Sequence, residues 1–303
     1  MKYFDAFTGI GGFTLGINQA YDNRPNIRNG AKDIREHLTH TAEPQNRFTC
    51  VGYSEIDKYA ASIYAHHYPT HHNYGDITKI DAEALPDFDL LVGGFPCQAF
   101  SIAGKRRGFE DTRGTLFFEL ARILRAKQPR LFVFENVKGL LSHDNGNTFK
   151  TIISTITELG YDCQWQVLNS KNFGVPQNRE RVFIVGHLRG TARPEVFPII
   201  ETTRDYPQFC KPLGTLTARY PASQREGAYP EEARDGSPAI RRLTPTECER
   251  LQGFPDNWTA SVSDTQRYKC LGNAVTVPVV QHIIYTIFQN RDNSNESSEP
   301  STQ

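Results

Sequence analysis

The chain of 303 residues has one methionine and two tryptophans, and its six cysteines (Cys50, Cys97, Cys163, Cys210, Cys248 and Cys270) nowhere form a Cys-x-x-Cys pair. No thiol-pair motif therefore organises it. Scattered thiols, with no export signal in "MKYFDAFTG", lead to the expectation of a reduced, cytoplasmic protein. No run of about 18 apolar residues occurs, which is the length a membrane-spanning helix needs. An excess of one charge is missing too, with 34 basic and 34 acidic residues. Bulk composition thus does not announce a nucleic-acid binder, although a neutral total still allows a basic cleft. The cluster "HHYPTHH" (66–72) has no cysteine nearby and matches no common zinc spacing. It reads as surface polar residues, and no metal is expected.

What is present is an alternation. With 38% hydrophobic and 11% aromatic residues the chain has material for a sizeable core. "KYFDAF" runs into the Gly-rich "TGIGGF" and a helical stretch over 13–22. "FTCVGYSEI" (48–56) is followed by "DKYAASIYAHHY", whose apolar spacing fits a helix. "FDLLVGG" (88–94) and "RLFVFENV" (130–137) read as buried strands around the amphipathic "GTLFFELARILRAKQ" (114–128). "NTFKTIISTITELGY" (147–161), "CQWQVLNS" and "RVFIVGHL" continue the pattern. This repetition predicts an α/β fold with a doubly wound, mostly parallel sheet, whose ligands bind beyond the carboxyl ends of the strands.

From about residue 189 the texture turns to Pro, Gly and charge, which predicts a small, loop-rich second domain. The expected division is 1–186 plus 270–291 for the larger domain, 187–269 for the smaller one with its hinge, and 292–303 for a disordered tail. "TPTECERLQGFP" (244–255) opens with helix-start chemistry at Thr244-Pro245, and a closing helix is expected from about 277 to 290. Residues 23–47 read as a surface loop.

Several constellations fall at the expected strand ends. "DAFTGIGGF" (5–13) is a strand, a Gly-rich turn and a helix start, where the backbone can approach a ligand and offer it free N–H groups. A dinucleotide fingerprint would need glycine where Thr14 stands. Glu55 is placed to accept from ribose hydroxyls, Ile56 to pack on an adenine face, and Asp76 of "GDIT" to accept from an adenine amino group. Singly, Glu55 and Asp76 suit a surface carboxylate and a helix cap as well; together the three favour an adenosyl ligand.

Cys97, in "GGFPCQAFS", follows a buried strand in a turn shaped by Gly and Pro, as nucleophiles do. A free cysteine is also a common core residue. Glu135 emerges from the next strand's end, where burial would raise its pKa and suit it to act as acid or donor; a capping or salt-bridged glutamate is the plain alternative. In "QNRER" (177–181), Arg179 and Arg181 share a face by the period of two. They are placed to brace Glu135 and bind phosphate, or to pair with surface acids. "QAFSIAGKRRGFEDTRGT" (98–115) has the length, glycine and charge of a lid over a phosphate backbone, and equally of a solvated loop.

Taken in order, "DAFTGIGGF", "GGFPCQAFS", "FENVKGL", "QNRERVFIVG", "RRLTPTECERLQGFPDNW" and "LGNAVTVPVV" resemble the cytosine-C5 DNA methyltransferases, typically enzymes of bacterial restriction-modification systems. The resemblance covers residues 1–187 and 241–285. It implies a Rossmann-like methyltransferase fold, S-adenosylmethionine as cofactor, double-stranded DNA as partner, and neither metal nor membrane. A cognate restriction endonuclease is implied as a functional partner, without direct contact. By the same resemblance Cys97 is the nucleophile, and Glu135, Arg179 and Arg181 complete the catalytic pocket. Phe7, Gly9, Ile10, Gly11, Glu55, Ile56, Asp76 and Asn273 form the cofactor site. Gln98, Ser101, Lys105, Arg106, Arg107 and Arg113 meet DNA. A thiolate adding at C6 of cytosine would make C5 able to accept a methyl group, with Glu135 at N3 and N4 and Arg181 at O2, on a base flipped out of the duplex.

Family members read sequence through a domain between "QNRER" and "RRLTP". Here that interval is only 187–240, and its "PLGTLTARY" (212–220) resembles framework. Few residues are left for a major-groove reader. A short site, contacts from a partner, or recognition through "ASQREGAY" (222–229) are the alternatives. Two other functions stay open. One is an RNA cytosine-C5 methyltransferase, against which stands the absence of the Cys-Phe-Thr tripeptide of the tRNA-acting branch. The other is a DNA-binding subunit that needs a partner for activity, against which stand intact Cys97, Glu135 and both arginines.

Overall fold

The side chains of β1 (Lys2–Ala6) part to two sides, Tyr3 into one apolar cluster and Phe4 into another. β3 (Leu90–Gly94) and β4 (Leu131–Val137) split in the same way. Leu90, Val92, Leu131 and Val133 go to one side, and Leu91, Phe132 and Phe134 to the other. Strands buried on both faces need helices on both faces. The computed structural model describes residues 1–22, 48–96, 116–191, 193–199, 213–218, 228–232 and 238–296. In it, α1 (Gly12–Asp22) and α7 (Val277–Glu296) cover one side of the sheet, and α3 (Leu116–Lys127) and α4 (Asn147–Glu158) cover the other. α1 and α7 approach closely at Gly16, where a Cβ would lie 2.7 Å from Val280 Cγ1.

With β2 (Thr49–Ser54), β5 (Tyr161–Asn169) and β6 (Glu180–Leu188), the six-stranded sheet has the order β2-β1-β3-β4-β6-β5. The first four strands are parallel, and β6 is antiparallel to both β4 and β5. Only β6 therefore opposes the rest, and the mostly parallel sheet read from the alternation is the one observed. At the β5 edge, residues 193–199 dock through side-chain amides. Gln164 Oε1 accepts from Val196 N and Phe197 N, both at 3.2 Å, and Gln166 Oε1 accepts from Ile199 N at 2.8 Å.

The remaining elements are α2 (Lys58–His67), a hairpin of β7 (Ala228–Glu232) and β8 (Pro238–Arg242), α5 (Pro245–Gln252) and α6 (Asp264–Asn273). α5 starts as its sequence indicates, with Thr244 and Glu247 forming a reciprocal capping box and Pro245 in the first turn. A third apolar cluster joins Ile10, Ala60 and Ile63 to Leu216, Leu243, Leu251, Phe254, Trp258, Leu271 and Val277. Residues 243–277 thus pack on the Gly-rich turn and α2. α7 continues to Glu296, past residue 290 and into the expected tail. Once a helix is nucleated on a buried face, each further residue adds a hydrogen bond at little cost.

Candidate active site

The carboxyl ends of β1 and β2 carry the Gly-rich turn and Glu55. Gly9 (φ 57°) and Gly11 (φ 90°) take left-handed conformations that favour glycine. Phe7 (φ 55°) does so as well, against the steric preference of a side chain. Beneath the turn, buried Asp5 accepts from Thr8 Oγ1 at 2.6 Å and Thr14 Oγ1 at 2.8 Å, and burial pushes its carboxyl up to about 7. Thr14, which interrupts the dinucleotide pattern, is therefore a buttress of the turn. Glu55 accepts from Gly9 N at 2.9 Å and from Asp57 N at 2.7 Å. Burial raises its pKa while these backbone donors lower it, and the net direction is up.

Asn73 ties the next piece on, its Oδ1 accepting from Glu55 N at 3.2 Å and Gly75 N at 2.9 Å. Asp76 then caps the short helical turn Ile77–Lys79, accepting from Thr78 N and Oγ1, and these bonds hold its pKa down. A Cβ at Gly9 or Gly75 would meet nothing within 4 Å, and Ile56 is 73% exposed. Glu55 is thus bonded to the glycine turn, and Asn73 links it to the segment that carries Asp76. These residues fit S-adenosylmethionine: acceptors for its hydroxyls and amino group, an apolar face for its purine. Asn273 is exposed at the end of α6, next to Ala274 and Val275. Val275 abuts the turn at Gly12, where a Cβ would lie 2.6 Å from Val275 Cγ1.

The second group lies at the ends of β3, β4 and β6. Register pairs Gly94 with Glu135, and Glu135 with Phe183. A Cβ at Gly94 would stand 3.1 Å from Glu135 Oε2, so the glycine makes room for the carboxylate. Arg181 Nε meets Glu135 Oε1 at 3.0 Å, with only 16% and 13% of the two side chains exposed. Burial raises the Glu135 pKa and the guanidiniums of Arg181 and Arg179 lower it; burial prevails. Asn136 Nδ2 donates to Phe95 O at 2.9 Å and so fixes the chain two residues before Cys97. Cys97, Gln98, Ser101, Lys105, Arg106, Arg107 and Arg113 lie outside the described residues.

Arg179 pairs with no surface acid among the described residues. It is 3% exposed, and its guanidinium donates to the carbonyls of Leu216 (2.8 Å), Gly272 (3.3 Å) and Ala274 (2.9 Å). It clamps three chain segments together behind Arg181. Gln177 and Gln252, which the sequence reading passed over, extend this clamp. Gln177 accepts from Leu216 N at 2.9 Å and donates to Leu251 O at 2.8 Å, and Gln252 donates to Leu271 O at 2.7 Å.

The histidine cluster also differs from expectation. His67 stacks on Trp258 and His71 Nδ1 lies 2.9 Å from Tyr64 OH, so these two are partly buried and partnered. Among the described residues no group of three or more His, Cys, Asp or Glu could hold a metal.

A Gly-rich turn bonded to Glu55 and a buried Glu135–Arg181 pair stand at the strand ends, and residues 1–217 and 211–289 match the model of the C-5 cytosine-specific DNA methylases. The chain belongs to that family. This methylase is 38% identical to the Type II methyltransferase M1.ScrFI of Lactococcus lactis subsp. cremoris, over 93% of its own length and 76% of the relative's. It is 32% identical to the Type II methyltransferase M.HhaI of Haemophilus parahaemolyticus, over 95% and 94%. Among solved structures it resembles the Entamoeba histolytica methyltransferase EhMeth, with a TM-score of 0.69 at 17% identity over 96% and 98% of the two chains. A putative DNA modification methyltransferase from an Escherichia coli prophage gives 0.64 at 18%, over 96% and 99%. The latter two likenesses concern the fold alone. The methylase transfers a methyl group from S-adenosylmethionine to C5 of cytosine in DNA.

Proposed function

We propose that this methylase acts on double-stranded DNA in the cytoplasm, as the modifying partner of a restriction endonuclease, with Cys97 as its nucleophile. The observation that carries the assignment is the Glu135–Arg181 pair held over Gly94, three residues ahead of Cys97. The Type II names of the relatives support the restriction-modification setting.

S-adenosylmethionine, when bound, supplies an electrophilic methyl group, and Glu55, Ile56 and Asp76 are the residues that would hold its adenosine. The rest falls to this chain and the flipped base. The Cys97 thiolate adds to C6, and the electron pair of the 5,6 double bond moves onto the ring. Glu135, with its pKa raised, shares a proton with N3, which makes C5 nucleophilic. Arg181 holds the Glu135 carboxyl through Nε and donates from its outer edge to the cytosine O2. Loss of the C5 proton to water after methylation leaves the C5–H electrons to re-form the 5,6 double bond, and the C6–Sγ pair departs with the thiolate. Arg179 acts as a positioning residue through its backbone clamp.

Duplex DNA carrying 5-fluorocytosine at the target, incubated with cofactor, should trap the protein covalently at Cys97, because fluorine cannot leave as a proton does. C97S should form no adduct and transfer no methyl group while keeping cofactor affinity. Methyl transfer by C97S would overturn the covalent assignment, and exclusive labelling of tRNA would overturn the substrate. Sequencing the methylated duplex identifies the site.

A further inference from the structure

The Gly-rich turn is held from the far end of the chain. Trp258 is 7% exposed, and its indole Nε1 donates to Ile10 O at 2.9 Å. The same peptide donates from its other end, Gly11 N to Thr8 O at 3.0 Å. Both polar groups of the Ile10–Gly11 peptide are thereby fixed, next to the Gly9 N–H held by Glu55. A peptide flanked by glycines has the backbone freedom to flip, and two hydrogen bonds of opposed sense remove it.

Trp258 itself is fixed on three sides. The His67 ring stacks on it with centroids 3.6 Å apart and planes 8° apart, and His67 Nε2 donates to Trp258 O at 2.7 Å. Phe254 packs on the indole with centroids 5.5 Å apart. On either side of Trp258, Asn257 N and Thr259 N donate to the two oxygens of the fully buried Glu249, at 2.7 and 2.8 Å. Arg267 Nη2 lies 3.1 Å from Glu249 Oε1 and balances its charge. A buried carboxylate is costly to leave without such donors.

We propose that Trp258 is a positioning residue for S-adenosylmethionine: its indole N–H sets the Ile10 carbonyl, and the Arg267–Glu249 pair sets Trp258. The inference rests on the Gly-rich turn being the cofactor cradle. It makes residues 249–267, which follow the β7–β8 hairpin, part of the cofactor site without touching the cofactor.

The test is Trp258→Phe, which keeps an aromatic ring against His67 and removes the donor. Affinity for S-adenosylmethionine, measured by calorimetry on the folded free enzyme, should fall about fivefold, the worth of one such bond. Affinity for duplex DNA and kcat at saturating cofactor should stay as in the parent. Unchanged cofactor affinity, or an equal loss for cofactor and DNA, overturns the proposal. Should W258F fail to fold, His67→Phe keeps the stack, frees the Trp258 carbonyl, and is read in the same way. Glu55→Ala separates the two ideas. If E55A weakens cofactor binding and W258F does not, the positioning role falls and the cradle stands; if neither does, both fall.

Discussion

Asp5 illustrates how a single buried group registers pH. Its carboxyl is pushed from 3.8 to about 7 by burial, and Oδ1 has no hydrogen-bond partner among the described residues. A folded-state pKa above the unfolded one means that the fold favours the protonated form. Its contribution to stability is therefore complete below about pH 4 and is lost as pH climbs through about 7. Urea unfolding of the parent between pH 5 and 8 should show declining stability over that window, and D5N should show a flatter profile. An equally steep decline in D5N would mean that other groups set the slope. Single residues also mark where sequence reading stops. The positions of Glu55, Glu135 and Arg181 in the fold were legible because each directly follows or occupies an apolar strand, and that of Asp76 because it caps the short helical turn Ile77–Lys79. The backbone partners of Arg179 were not legible, because nothing local shows that the carbonyls of Leu216, Gly272 and Ala274 converge on it. His67 looked like a surface residue for the same reason, since its partner is 191 positions away.

Between elements, register does the aligning. The Gly94–Glu135 pair places a carboxylate 3.1 Å from where a Cβ would stand, and Arg181 keeps that carboxylate from retreating. Gly94→Ala should therefore displace Glu135 and lower kcat by about ten- to a hundredfold, leaving cofactor affinity unchanged. Steady-state kinetics with separate titrations of DNA and cofactor checks this; an unaltered kcat would show that the pair can yield. Strand and helix runs from residue 2 to 188 were readable from periodicity, and α5 from its capping chemistry. The place of β6 between β4 and β5 was not, because alternation gives the elements and not their neighbours. α6, "DTQRYKCLGN", escaped notice because only Cys270, Leu271 and Gly272 of its ten residues are buried, too few to draw an apolar stripe.

For the whole molecule, charge balance has a measurable consequence. With 34 basic and 34 acidic residues the chain has no net charge to attract DNA, which leaves the attraction to local clusters; Lys105, Arg106 and Arg107 are the cluster proposed for it. Replacing Arg106 and Arg107 by alanine should weaken duplex binding most at low salt and flatten the plot of log affinity against log salt. A loss independent of salt would count against contact with phosphates.

The amides of Gln164 and Gln166 have a further effect, on how the chain behaves in company. A sheet's outermost ribbon is where identical molecules adhere to one another. Here that rim is occupied by residues 193–199, fastened by side chains rather than by a full backbone ladder. The fastening can be undone without dismantling the sheet. A Q164A/Q166A protein should keep its catalytic rate in dilute solution and clump as it is concentrated, which light scattering would reveal.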